Sequence, residues 1–128
     1  MTRAQLQGAN ARTVLVIEDD EDTRQFVEDL LIMAGYAVLG AASGQAALAH
    51  VAAHRIDVIL LDRRLPDADG VTLCPRLREH VDGGVPIILV TADRSPGLEA
   101  ASRAAGATDF LLKPYLPADL LGRLPPPT

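Results

Sequence analysis

Five consecutive acidic residues follow the first apolar segment of the chain. They are Glu18, Asp19, Asp20, Glu21 and Asp22, directly after Val14–Ile17. Acids at the start of a helix complement the positive end of its dipole, which accounts for Asp20, Glu21 and Asp22. Glu18 and Asp19 adjoin the apolar segment itself, where unpaired like charges are costly and a bound cation would relieve the cost.

A third carboxylate, Asp62, comes directly after the apolar segment Val58–Leu61. If both segments are neighbouring strands of a parallel sheet, Glu18, Asp19 and Asp62 meet at one edge. Carboxylate oxygens suit Mg²⁺, which binds through a few protein ligands and keeps several waters, and the same set suits Mn²⁺. The residues alone are compatible with two interpretations of these carboxylates, a metal site or a set of loop and helix caps.

Two more polar residues follow apolar segments further along the chain. Thr91 ends the segment that begins at Ile87, and Lys113 follows Phe110–Leu112. With the acids they add a hydroxyl donor and a fixed cation to a nucleophile and a metal site. Phosphoryl transfer needs this combination, because its catalysis is mostly positioning and charge neutralisation.

Short β-branched segments alternate with longer helix-compatible stretches along the chain. This alternation predicts an α/β fold, a five-stranded parallel sheet with helices on both faces. Strands are predicted at 14–17, 36–41, 58–61, 87–90 and 110–112. Helices are predicted from the acidic run to Gly35, from the N-cap Ser43 to His54, over 71–81, from the Pro96–Gly97 break to Gly106, and from Pro117 to Leu124. The first helix is predicted because six apolar residues recur at helical spacing: Phe26, Val27, Leu30, Leu31, Met33 and Ala34. Sites in such sheets collect at the carboxyl ends of the strands.

Length and composition set limits on the class of protein. The 128 residues fit one domain, and 48% hydrophobic residues are enough for a core. A net charge of −5 argues against direct binding of nucleic acid, and no apolar run reaches membrane-spanning length. The single cysteine, Cys74, is compatible with a reducing cytoplasm, so we expect a cytoplasmic location.

The sequence closely resembles the receiver domain of two-component response regulators, which has a flavodoxin-like fold. The resemblance extends from about Thr13 to Leu124. The motifs that carry it are Val14–Asp20, Asp57–Asp62, Leu65–Asp67 with Gly70, Ile87–Ala92 and Gly106–Pro114.

The resemblance implies a role for each polar residue at the strand ends. Asp62 would accept a phosphoryl group from a phosphohistidine on a partner, with Thr91 and Lys113 binding the phosphoryl oxygens. Glu18, Asp19, Asp62 and the backbone carbonyl of Arg64 would hold Mg²⁺. The Lys113–Pro114 peptide is commonly cis in this family.

The resemblance also implies a conformational switch. Thr91 would turn toward the phosphoryl group and leave space for Phe110 to rotate, which alters the surface of helix four, strand five and helix five. Beside this site, Arg64 and Asp93 are expected to be either ordinary exposed loop residues or a pair that gates access to it.

Three other functions can be compared with the residues present. A haloacid-dehalogenase-type phosphatase needs a second Asp at position 64, where this chain has Arg. A nucleotide or flavin carrier needs a phosphate-binding loop after strand one, where this chain has five acids. A degenerate receiver that acts as a phosphorylation-independent interaction module remains the alternative, although such modules usually lack the residues equivalent to Asp62 or Lys113.

The expected partners follow from the resemblance. They are a sensor histidine kinase or histidine phosphotransfer protein, and a downstream protein target or a fused effector domain, with a possible homodimer through helices four and five. No turnover of a free substrate is expected. The expected organisation is an N-terminal extension over residues 1–12, a receiver domain over 13–124 and a Pro-rich tail or linker start over 125–128. Whether the chain is a single-domain regulator or part of a longer protein is open.

Overall fold

Five strands and five helices alternate along the described part of the chain. The computed structural model describes residues 10–128. The elements are β1 (Thr13–Ile17), α1 (Glu21–Met33), β2 (Ala37–Ala41), α2 (Gly44–Ala53), β3 (Val58–Leu61), α3 (Gly70–Arg78), β4 (Ile87–Thr91), α4 (Leu98–Ala104), β5 (Asp109–Leu112) and α5 (Pro117–Leu121). The predicted alternation of strands and helices is confirmed.

The strands form one parallel sheet in the order β2-β1-β3-β4-β5. β1 and β3 are neighbours, with Leu15 opposite Ile59 and Ile17 opposite Leu61. The chain leaves β1 toward one edge of the sheet and returns to place β3 on its other side. A crevice opens at the carboxyl ends of the strands where the order reverses in this way, and ligands bind there in such sheets.

Alternate residues of each strand point to opposite faces, and each face carries its own core. One face, with Leu15, Ile59 and Leu89 among its strand residues, packs against α2, α3 and α4. The other, with Val14 and Leu60, packs against α1 and α5. The strands are buried on both faces, which explains why they read as continuous apolar segments rather than alternating ones.

Polar side chains cap the first three helices. Asp20, Ser43 and Asp69 each accept a hydrogen bond from a backbone N–H in the first turn of α1, α2 and α3. The Ser43 cap is as predicted. Gly35, with φ +102°, follows the C-terminal end of α1, as the sequence predicted, because glycine adopts this left-handed conformation without steric cost.

The helix α1 is confirmed, but its apolar residues are not all buried. Val27 and Leu31 are buried against the sheet, but Phe26 is 61% exposed and Met33 is 87% exposed. The apolar residues of this helix extend around more than one face, and only the row that contains Val27 and Leu31 meets the sheet.

Two helices end earlier than the sequence predicted. α3 ends at Arg78 rather than Val81, and α5 ends at Leu121 rather than Leu124. In each case the following residues continue as turns with shorter-range hydrogen bonds, such as Val81 N–H to Arg78 O and Leu124 N–H to Leu121 O. Such turns keep the apolar spacing of a helix, so the pattern alone overestimates its length.

The residue before β1 meets the last residues of the chain at the amino ends of the strands, opposite the site crevice. The backbone N–H of Arg12 donates to Pro127 O at 2.7 Å, and the Tyr36 hydroxyl donates to Pro125 O. The final residues therefore pack on the domain. Within residues 10–128, none of the helices combines the length and the apolar character needed to span a bilayer.

Candidate functional site

The acidic run after β1 divides into two structural roles. Glu18 is buried and Asp19 is exposed, and both face the ends of the neighbouring strands. Asp20 instead caps α1, with its carboxylate accepting the Thr23 N–H at 2.8 Å, and this hydrogen bonding holds the pKa of Asp20 below its ordinary value. The helix-cap interpretation is confirmed for Asp20, whereas the metal interpretation of Glu18 and Asp19 stays a prediction.

Glu18, Asp19 and Asp62 form a carboxylate cluster at the carboxyl ends of β1 and β3. One oxygen from each lies within 4.8 Å of the others. Three hard, negatively charged oxygens this close repel one another unless a cation lies among them, and this donor set fits Mg²⁺. The residues present therefore fit the Mg²⁺ site that the resemblance implies.

Lys113 brings a positive charge to the cluster from the end of β5. Its Nζ donates to Glu18 Oε1 at 2.6 Å and lies 3.6 Å from Asp62 Oδ2. Burial alone would lower the pKa of the Lys113 ammonium, but the hydrogen bond to Glu18 and the charges of Asp62 and Glu18 outweigh burial, and the pKa is raised. The ammonium therefore stays charged at neutral pH. The Lys113–Pro114 peptide is cis.

Thr91 ends β4 and is 3% exposed. Its Oγ1 accepts a hydrogen bond from the Asp93 N–H at 3.2 Å. Its carbonyl accepts from the Lys113 N–H at 2.9 Å, which joins the ends of β4 and β5. A shallow depression of about 490 Å³ is lined by Thr91, Asp19, Asp62 and Lys113. The four predicted strand ends thus contribute to one concave site.

Asp93 has two arginine partners from the loop after β3. Arg64 Nη2 lies 3.4 Å from Asp93 Oδ2, but the Arg64 side chain is 82% exposed. Arg63 is the closer and more buried partner, and its Nη1 donates to the same oxygen. The predicted partner of Asp93 was Arg64, and Arg63 was not among the predicted site residues. Two consecutive arginines look alike in a sequence, so only the direction of each side chain in the structure shows which one is the closer partner of Asp93.

Phe110 lies in β5 and is partly buried. It packs against the core on the face that carries α4. It also lines a groove of about 640 Å³ with Asp93, Arg103 and Leu112, between the β4–α4 loop, α4 and β5. This groove provides room beside the phenyl ring on the side that faces α4.

Two residues that hold the loop after Asp62 were not assigned from the sequence. Asp67 accepts the backbone N–H groups of Gly44 and Gln45 at 2.8 and 2.9 Å, so this loop caps α2. These hydrogen bonds lower the pKa of Asp67. At Gly70, a Cβ would lie 2.3 Å from Asp62 O. A glycine eight positions after the candidate nucleophile was a visible signal, but the close approach depends on the tertiary path of the loop.

The comparisons with known proteins agree with this geometry. The response regulator receiver domain family matches residues 14–125. BaeR, a transcriptional regulatory protein of Escherichia coli, is 38% identical over 120 residues, which cover 90% of this chain and 47% of BaeR. The chain spans about half the length of such curated relatives.

Solved structures show the same fold. A CheY-like receiver domain protein from Methanospirillum hungatei matches with a TM-score of 0.84 and 29% identity over 89% of this chain and 90% of that one. A response regulator from Burkholderia pseudomallei, solved with a phosphorylated aspartic acid and a calcium ion, matches with a TM-score of 0.83 and 26% identity over 89% of this chain and 66% of that one. With the acidic cluster, the lysine and the threonine at one edge of a parallel sheet, this chain belongs to the receiver domains of two-component response regulators.

Proposed function

We propose that Asp62 accepts a phosphoryl group from a phosphohistidine on a partner protein. One observation supports this most strongly: the Lys113 ammonium is fixed between Glu18 and Asp62, at 2.6 and 3.6 Å. A fixed cation beside a partly exposed carboxylate neutralises charge where the phosphoryl oxygens would lie.

The transfer is a nucleophilic displacement at phosphorus. A carboxylate oxygen of Asp62 forms the new P–O bond as the P–N bond of the phosphohistidine breaks, and the electron pair of that bond stays on the imidazole nitrogen. Lys113 and the Thr91 hydroxyl donate hydrogen bonds to the phosphoryl oxygens. Lys113 is already held beside Asp62 at the end of β5, so its ammonium needs little reorganisation during transfer.

We assign the metal ligands to Glu18, Asp19, Asp62 and the backbone carbonyl of Arg64. Bound Mg²⁺ or Mn²⁺ supplies positive charge that offsets the phosphoryl group and the acids around it. A phosphoryl group on Asp62 adds about −1.5 to −2 charge, and the two further acids Glu18 and Asp19 would repel it. The cation requirement thus follows from the charge of the carboxylates themselves.

We propose that phosphorylation shifts Thr91 toward Asp62 and allows Phe110 to rotate. This changes the surface over α4, β5 and α5. We also propose that α4 and α5 form a homodimer face. To shift a two-state equilibrium from 1:99 to 99:1 takes about 5.5 kcal/mol. Charge-assisted hydrogen bonds of about 1.5–3 kcal/mol each can supply this amount.

The pair Arg64 and Asp93 is proposed to gate the site. Arg64 lines the depression that also contains Asp62, and its Nη2 lies 3.4 Å from Asp93 Oδ2. Replacement of Arg64 by Ala is expected to change the lifetime of the phosphorylated form, measured by the decay of phosphoprotein after removal of the phosphodonor. An unchanged decay rate would rule out the gate.

The proposed partners are a sensor histidine kinase or a histidine phosphotransfer protein, and a target or effector domain that binds the switched surface. We place the receiver domain at residues 13–124, with residues 1–12 as an extension, mostly outside the described residues, and 125–128 as a tail. We also propose a cytoplasmic location, slow self-dephosphorylation and no turnover of free substrates.

The test uses phosphoramidate or acetyl phosphate with Mg²⁺ and intact mass as the readout. The wild type is expected to gain one phosphoryl group, which is absent without Mg²⁺ and absent from Asp62→Asn. Asp22→Asn is the control, because Asp22 is an exposed acid of the same run in the first turn of α1. No adduct in wild type would favour the degenerate interaction module, and release of phosphate from a free phosphomonoester would favour a phosphatase.

A further inference from the structure

Arg63 is held rigidly by the start of α3. Its carbonyl accepts the Gly70 N–H, and its Nε lies 3.3 Å from Asp69 Oδ2. Asp69 is itself fixed, because its other oxygen caps α3 by accepting the Val71 N–H at 2.8 Å. The arginine therefore projects from an anchored backbone with one side of its guanidinium already bound.

The other side of the guanidinium holds the β4–α4 loop. Arg63 Nη1 donates to Asp93 Oδ2, and the two side chains are only 27% and 10% exposed. The second oxygen of Asp93 accepts the Ser95 N–H at 2.8 Å and the Ser95 hydroxyl. An arginine fork between two carboxylates is directional, and partial burial reduces screening by solvent.

Asp93 passes this restraint to Thr91. The Asp93 N–H donates to Thr91 Oγ1 at 3.2 Å. This hydrogen bond favours the Thr91 rotamer that places Oγ1 near the Asp93 N–H, and the hydroxyl proton is left for another acceptor. The contacts run without a gap from the α3 cap through Arg63 and Asp93 to Thr91.

We infer that Arg63 is a positioning residue that sets the rotamer of Thr91 through Asp93. The inference rests on the proposed function of Thr91 as a ligand of the phosphoryl group. Arg63 touches neither Asp62's carboxylate cluster nor the phosphoryl site in this assignment. It acts by holding the β4–α4 loop against the β3–α3 loop.

The main test measures the Thr91 side chain without metal or phosphodonor. Three-bond couplings of the Thr91 γ2 methyl group, measured by NMR on the full chain, report its χ1 angle. Wild type is expected to show one dominant rotamer, whereas Arg63→Gln shows averaged couplings. Arg94→Gln is the control, because Arg94 is exposed beside Asp93 and makes no ion pair with any residue from 10 to 128. Couplings like wild type in folded Arg63→Gln would overturn the inference.

A charge-balanced variant tests the consequence for phosphorylation. Arg63→Gln combined with Asp93→Asn keeps the net charge and removes the ion pair. Arg64→Gln is compared with it, because Asp93→Asn also removes the contact between Arg64 and Asp93. We expect the double variant to be phosphorylated by phosphoramidate about three- to tenfold more slowly than wild type, the range for a partly buried ion pair. A rate equal to wild type would overturn the inference.

The two proposals fail in different ways. If wild type forms no phosphoryl adduct, the proposed function fails, while the rotamer measurement still decides whether Arg63 positions Thr91. If wild type forms the adduct and the Thr91 couplings are unchanged in Arg63→Gln, only the inference fails. If Arg63→Gln does not fold, Arg63→Lys serves instead, because a single ammonium cannot span Asp69 and Asp93 as the fork does, and averaged couplings are again expected.

Discussion

At the scale of single residues, the site depends on one cation among three carboxylates. Lys113 contacts Glu18 and Asp62, and these are also two of the proposed metal ligands. The ammonium and a divalent cation therefore interact with the same oxygens. Their separate contributions can be resolved by removing the lysine.

Lys113→Met is expected to have opposite effects on two measurements. Mg²⁺ affinity should rise, because the competing ammonium is gone and Glu18 is left buried without its partner. Phosphorylation by phosphoramidate should slow about 100-fold, because a donor to the transferred group is lost. Calorimetric Mg²⁺ titration and intact mass provide the two readouts. Weaker Mg²⁺ binding would show that Lys113 supports the carboxylates rather than competing for them.

At the scale of elements, the loop between β3 and α3 determines where Asp62 and the two arginines point. Gly70 lets the start of α3 approach this loop, and its own N–H donates to Arg63 O. Asp67 attaches the same loop to the N-terminus of α2. The loop is thus fixed by a local contact between Gly70 and Arg63 and by a contact between Asp67 and a helix distant in the chain.

Gly70→Ala is expected to lower the free energy of unfolding by about 1–3 kcal/mol. Its Cβ would meet Asp62 O at 2.3 Å and Arg63 Cα at 2.9 Å, and backbone atoms cannot move aside as a flexible side chain can. Urea unfolding gives the measurement. Gly83→Ala is the matched control, because nothing lies within 4 Å of its Cβ, and it should stay near wild type. Equal losses in both variants would refute the steric explanation.

Asp67 predicts a dependence of stability on pH. Its folded-state pKa is lowered, so its contribution is present above the unfolded pKa of about 3.9 and lost as the pH falls through the folded value. Asp67→Asn should therefore be less stable than wild type at neutral pH, and the difference should shrink below about pH 4.

The control for Asp67 is Asp82→Asn. Asp82 is exposed, and its carboxylate makes no hydrogen bond within the described part of the chain. Denaturant unfolding of both variants between neutral and acidic pH tests the assignment. A constant difference between Asp67→Asn and wild type across this range would contradict it.

At the scale of the whole molecule, the site joins both halves of the sheet. β1 and β3 supply the carboxylates, and β4 and β5 supply Thr91 and Lys113. Any ligand that binds all of them binds only the folded chain. Such a ligand stabilises the fold by mass action.

Mg²⁺ is expected to raise the unfolding temperature of wild type. At a concentration of about 100 Kd the stabilisation is about 2.7 kcal/mol. Asp19→Asn removes one ligand of the cluster and should lose most of this increase, whereas Asp22→Asn should keep it. Thermal unfolding with Mg²⁺ and with a chelator provides the measurement. If Mg²⁺ raised the unfolding temperature of Asp19→Asn as much as that of wild type, the metal would not bind at this cluster.

The residue types and their order along the chain determined the fold and the members of the site. Short segments such as Val58–Leu61 are apolar on both faces, which favours a parallel sheet, and parallel strands end at one edge. Asp62, Thr91 and Lys113 follow three such segments, so their convergence follows from topology. The sequence alone can show this convergence, because the ends of parallel strands lie at one edge of the sheet whatever direction each side chain takes.

Only the tertiary structure decided how neighbours with the same local signal differ. Asp19 joins the cluster while Asp20 caps α1, and Arg63 is held between two acids while Arg64 is mostly exposed. Phe26 lies in solvent beside buried Val27 for the same reason. These outcomes depend on the path of each loop and the packing of each helix, which are set by contacts between residues distant in the chain.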